Sequence, residues 1–192
     1  MLRSRGDAQI RSAMTPMKRN LFLLACCQAF GQACNTAMFA ATALSIVTFY
    51  PVRELATLPT TLQHVGVMLS VFPAALLMQR KGRKLGFRLG SVFGMAGSVL
   101  LGVGLYNHSF VLMCLAGLVL GYAVASLQMY RFAAVELAPP RHAAKAISWV
   151  TAGGVVAGIM GPAMVRGTHD LVQPLYLATY GGMIVFHLIV LT

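Results

Sequence analysis

Gln28, Gln32, Asn35 and Thr42 stand at spacings of +4, +7 and +14 within one apolar run of the chain. At about 100° per residue in a helix, these side chains fall within an arc of about 80°. Amides and hydroxyls donate and accept hydrogen bonds without carrying charge, which suits recognition of a neutral or zwitterionic small molecule. A second row, Tyr122, Ser126 and Tyr130, repeats at +4 and +8. Polar side chains in an apolar run are costly and point to function, so each row is a candidate lining for a cavity. The alternative for both rows is hydrogen bonding between helices, worth about 0.6 kcal/mol per contact. Gln63, His64 and His187 are isolated polar residues and read as packing or interface positions rather than ligands.

Other chemistries find no residues to carry them. Cys26, Cys27, Cys34 and Cys114 form no C-x-x-C pair, so zinc and thiol-redox sites have no support. A Gly-x-Ser-Gly nucleophile turn is missing, as are paired carboxylates and histidines on facing segments and an Asn-Pro-Ala pore motif. No catalytic residue, metal or cofactor is expected, and an intramembrane enzyme or a six-span metal transporter remains only as a weak alternative.

The elements that must position these rows follow from composition. Of 192 residues, 58% are hydrophobic and 10% charged, whereas a soluble domain carries about 25% charged residues. Such a chain must face lipid, and about 20 apolar residues make one span. The pattern predicts an all-α membrane protein with six spans at about 21–49, 57–78, 89–105, 110–132, 146–165 and 175–192, after a basic tail over 1–19. Pro59, Pro73, Gln63 and His64 make the second span the weakest. Trp149, near the start of the fifth span, suits the interfacial aromatic belt.

The net charge of +11 would suit nucleic acid, but its placement does not. Leaving Arg131 aside, 12 lysines and arginines fall in the tail and in the loops after spans two and four, and 2 in the remaining loops. That asymmetry predicts both termini in the cytoplasm, in a bacterial inner membrane, with no nucleic-acid partner. A cleaved signal or lipoprotein box fits poorly, because the apolar stretch before Cys26 is short and the run continues past Cys34. Rows of small residues predict close helix packing: Gly86, Gly90, Gly94, Ser98 and Gly102 in span three, Gly117, Gly121 and Ala125 in span four, and Gly154 with Gly158 in span five.

Between spans two and three the chain reads Gln79-Arg80-Lys81-Gly82-Arg83-Lys84. This resembles the loop signature G-x-x-x-D-R-x-G-R-K of the major facilitator superfamily, with Arg80, Gly82, Arg83 and Lys84 matching. Ala75 stands at the family's first glycine and Gln79 at its aspartate. The segment from Gly153 to Pro162, with Gly154, Gly158, Gly161 and Pro162, is similar to the glycine-rich fifth helix of these transporters. Pro139 to Ala146 is similar to their fourth-to-fifth loop, whereas the usual fourth-helix arginine is absent at Gly117. The resemblance implies the amino-terminal half of a twelve-span transporter, its six helices forming two three-helix inverted repeats with the first and fourth along the substrate path.

On that resemblance the expected function is transport of a small solute, with Gln28, Gln32, Asn35, Tyr122 and Ser126 as cavity candidates. Asp7, Glu54, Glu136 and Asp170 all lie in the tail, in loops or at span ends. Proton coupling is therefore expected to be carried elsewhere or to be absent, a relay through His64 being the alternative. The sixth span offers 18 residues, about 27 Å against a core of about 30 Å, with no loop after it. That ending reads as a truncation or a split gene. The expected partners are the bilayer, the solute, and a second six-span half or a second copy of the chain.

Overall fold

The computed structural model describes residues 2–191, with side chains from Met17 onward. The tail residues Arg3, Arg5, Asp7 and Arg11 therefore lie outside the described side chains, and Thr192 lies outside the described residues. Among the described residues seven helices follow one another: α1 (Leu2–Val47), α2 (Leu58–Lys81), α3 (Arg83–Tyr106), α4 (Phe110–Gln128), α5 (Tyr130–Leu137), α6 (Ala143–Thr168) and α7 (Leu177–Leu191). Short 3-10 turns at Arg53–Leu55 and Pro140–His142 precede α2 and α6. Within the described residues five helical stretches are long and apolar enough to cross a membrane, and Leu177–Leu191 is a shorter apolar helix. This is an all-helical membrane fold.

The basic segment around residues 80–88 is folded rather than looped. Helix α2 runs through Lys81 and α3 starts at Arg83, so Gly82 alone turns the chain. Its φ of +89° with ψ of 153° is a conformation that essentially only glycine adopts. Arg80 and Lys81 sit on the carboxyl end of α2, where the helix dipole favours cations. At the far end of the bundle, the Ser109 hydroxyl accepts a 3.4 Å hydrogen bond from Leu112 N and caps α4.

The packing has an internal exchange symmetry. The most extensive helix pairings are α1 with α6, α2 with α4, α3 with α4, α3 with α7, and α1 with α7. Exchanging α1 with α4, α2 with α6 and α3 with α7 maps this set onto itself. Helices α1 and α4 run in opposite directions, so the two three-helix units are related as an inverted repeat. Glycine makes both leading pairs close. A Cβ on Gly121 would collide with Gly66 and one on Gly117 with the Pro59 carbonyl, while Gly153 and Gly161 meet the Ala25 and Ala33 carbonyls of α1. Without a hydrophobic force between helices in lipid, such backbone approach is what holds them together.

The row of α4 agrees with the expected packing, that of α3 agrees in its first three glycines while Gly97 and Gly104 rather than Gly102 make its close contacts, and the third does not agree. In α3, Gly86, Gly90 and Gly94 abut Met78, Ser126 and His187, and in α4 Gly117 and Gly121 abut α2. In α6 the contacting row is Gly153, Ala157 and Gly161, whereas Gly154 and Gly158 have open space beside them. The large apolar side chains Met68, Leu69, Phe72, Val155 and Ile159 are exposed on α2 and α6, as lipid-facing positions must be.

Candidate functional site

The neighbours of α1 divide its circumference into sectors. Toward α6 it turns Ala25, Ala33 and Thr36, whose Oγ1 donates to the Ala157 carbonyl at 3.2 Å. Toward α7 it turns Phe30, edge-on to Phe186 at 5.1 Å, and Cys34, whose thiol lies 3.6 Å from the Met183 carbonyl. Gly31 meets Leu127 of α4, and Asn35 Oδ1 accepts a 3.0 Å hydrogen bond from Gln63 Nε2 of α2. Gln28 and Gln32 fall in the remaining sector, between the α6 side and the α2 side. Phe39 borders it, its ring 5.7 Å from the His64 imidazole of α2. The open row of α6 faces the same way: Gly154 and Gly158 flank the α1-facing row on the side opposite Met164, which packs on Gly182 of α7. By helix phase, the sector of α1 between α2 and α6 thus forms a groove that sets Gln28 and Gln32 beside bare helix backbone.

Within the bundle beside this groove lies a smaller polar centre. Asn35, Gln63 and His187 line a void of about 10 Å³ with Cys34, Met38 and Met183. That is about the room of one water molecule. Gln63 is 2% exposed, and its Oε1 has no hydrogen-bond partner among the described residues; Gln28 Oε1 is likewise buried and unpaired. His187 is 4% exposed and fills the space that Gly94 leaves. Thr42, the last member of the span-one row, turns away to α7, 3.4 Å from the Tyr180 hydroxyl, which also meets Ser45 at 3.0 Å.

The span-four row is aligned as its spacing requires, and it faces α3. The Tyr122 ring is tilted against Phe93 at 4.6 Å, Ser126 abuts Gly90 and donates to the Ala123 carbonyl at 2.7 Å, and Tyr130 stacks on Phe87 at 4.2 Å. These residues do not join the groove of α1.

At the basic end of the bundle, Arg83 makes a two-pronged ion pair with Glu136 of α5, its Nε donating to Oε2 at 2.6 Å. Gln79 and Gly82 border the same cleft, of about 620 Å³, while Arg80 and Lys84 are exposed. The sequence places Glu136 at the start of the polar stretch between spans four and five, and the structure puts it on α5. The available signal was that, among the described side chains, Glu136 is the one carboxylate at the end bearing Lys18, Arg19, the residues 80–88 cluster, Arg131, Arg141 and Lys145. The pair is solvent-accessible, so Glu136→Gln is expected to lower stability by no more than about 1 kcal/mol, and by less at high salt. Thermal unfolding at two ionic strengths checks this.

The helices and the groove define an integral membrane protein built from two inverted three-helix units. The sequence profile of the sugar (and other) transporter family matches residues 4–192, and the chain belongs to that family of the major facilitator superfamily. It is 35% identical over 158 residues to the riboflavin transporter RfnT of Brucella anthropi, covering 82% of this chain and 40% of that protein. It is 26% identical over 165 residues to the uncharacterized MFS-type transporter YdeG of Bacillus subtilis, covering 86% of this chain and 38% of that one. The chain therefore spans about two fifths of the length of these curated relatives. No solved structure matches it.

Proposed function

We propose that the chain supplies one six-helix half of a secondary transporter, with its basic end in the cytoplasm and its α1 groove on the solute path. The observation that carries this reading is the groove itself: Gln28, Gln32 and Asn35 on α1 beside the bare backbone of Gly154 and Gly158 on α6. Uncharged amides in lipid need a polar occupant or a covering partner. A second six-helix unit, in the same polypeptide or another, would close the groove into a midplane site of the kind such folds use. The segment from Gln79 to Lys84 would serve that unit as a cytoplasmic latch, with Glu136 supplying the carboxylate that Gln79 does not.

For the solute we propose a flavin-like molecule, on the strength of the 35% identity to a riboflavin transporter. An amide row can meet the donor and acceptor edge of such a heterocycle, and Phe39 offers a ring to stack against. The test is riboflavin uptake in cells that lack their own carrier. The chain is co-expressed with a second six-helix unit, for instance the carboxyl-terminal half of the riboflavin-transporting relative. Gln32→Leu is expected to cut uptake at least about tenfold, the effect of losing one or two desolvated hydrogen bonds to solute. Melting temperature should stay unchanged, because the Gln32 amide ties no two helices together. Uptake equal to the parent's would reduce the row to helix packing.

A further inference from the structure

At the basic end, where α1 enters the bundle and the link from α5 turns into α6, a cavity of about 430 Å³ is lined by Lys18, Leu21, Arg141, His142, Lys145 and Trp149 among others. Its cations come from two separate parts of the chain, and no carboxylate is among the described residues that line it. Glu136, the one acid described at this end, is engaged by Arg83. The Nδ1 of His142 is buried without a partner among the described residues. Trp149 is 56% exposed and shares its face of α6 with exposed Ala152 and Val156, +3 and +7 along the helix. That face is turned away from Gly154 and Gly158 and so from the proposed solute groove. A tryptophan on a lipid-facing sector beside a ring of cations marks the level where headgroups meet acyl chains.

We infer that this cavity holds an anionic phospholipid, its phosphodiester against Lys18, Arg141 and Lys145 and an acyl chain along Trp149 and Val156. Positive-inside orientation by itself requires charge at this end of the bundle but no concavity with an apolar wall. A polar head and an apolar tail, by contrast, need both. The bound lipid would tie the start of α6 to the entry of α1, the two helices that border the groove.

Trp149 is the chain's single tryptophan, so its fluorescence reports on this site alone. The full chain is placed in phosphatidylcholine nanodiscs containing a fixed small fraction of phosphatidylglycerol or phosphatidylcholine with brominated acyl chains. Brominated phosphatidylglycerol is expected to quench several-fold more strongly than brominated phosphatidylcholine at equal mole fraction. Each neutralised cation should weaken that preference about fivefold, so Arg141→Gln with Lys145→Gln should abolish it. Lys81→Gln with Arg88→Gln, equal in charge but outside the cavity, should retain it. Equal quenching by the two lipids would overturn the proposal, as would equal loss in both double variants, which means a diffuse surface potential. Relief of quenching by millimolar inorganic phosphate would also overturn it, in favour of a soluble phosphate site.

Discussion

Gly121→Leu is expected to unfold the bundle, whereas Gly158→Leu leaves it folded. A Cβ at Gly121 would lie against the Cα and carbonyl carbon of Gly66 and the backbone nitrogen of Val67. No rotamer change relieves a collision with backbone, so α2 and α4 would have to separate and lose one of the two leading pairings of the fold. Overpacking a core by a few methylenes costs about 1–3 kcal/mol when side chains can yield. Here they cannot, and a loss of at least about 3 kcal/mol follows, a large share of the stability of any domain. The symmetry-related helix pair, α1 with α6, behaves alike, since Gly153→Leu would meet the Ala25 carbonyl of α1. A Cβ at Gly158 would have no neighbour within 4 Å, so leucine there fits without strain. Thermal unfolding in detergent with size-exclusion detection separates the cases, and a Gly121→Leu protein as stable as its parent would refute the helix contact. If the groove carries solute, Gly158→Leu should still abolish uptake.

The contrast between those glycines shows where sequence reasoning ends. The rows in α3 and α4 were legible because each helix has a dominant line of small residues, and a line of that kind has one use in lipid. Helix α6 carries two lines, Gly153-Ala157-Gly161 and Gly154-Gly158, offset by about 100°. Periodicity alone does not say which of them meets a neighbour; the phase of α1 decides. The tyrosine and serine row of α4 and the start of α5 was legible as one face, but its partner, α3, was not, because the small residues that receive it (Gly90 under Ser126) look like generic packing. The partners of Gln63 and Glu136 escaped for a related reason. Each of these two residues completes a pair with a residue on another helix, Asn35 and Arg83, 28 and 53 positions away in the chain. A single sequence has no local period that links residues so far apart. The basic turn was legible as a motif and misjudged as a loop, since one glycine with φ of +89° replaces a longer connection.

Asn35→Leu should cost both stability and uptake, and a compensating change should restore only the first. Gln63 is buried, and its Nε2 bond to Asn35 Oδ1 is the one hydrogen bond its side chain makes among the described residues; its Oε1 is already unpaired. Leucine at 35 would leave the whole Gln63 amide unsatisfied in an apolar bundle, at about 1–3 kcal/mol. Replacing both partners with apolar groups of similar shape is nearly neutral, because no polar atom is then stranded. The double variant Asn35→Leu with Gln63→Leu should therefore melt near the parent temperature, and the void of about 10 Å³ beside the pair gives the new side chains room to settle. Uptake should not follow. Asn35 lies at the junction between the buried pair and the open amide row, so a solute that reads the row loses a contact in the single and double variants alike, with uptake at least about tenfold lower in each. The two readouts assign the pair: recovery of both stability and uptake in the double variant would make Asn35 and Gln63 a clamp between α1 and α2 with no part in recognition. Recovery of stability alone would place Asn35 on the solute path.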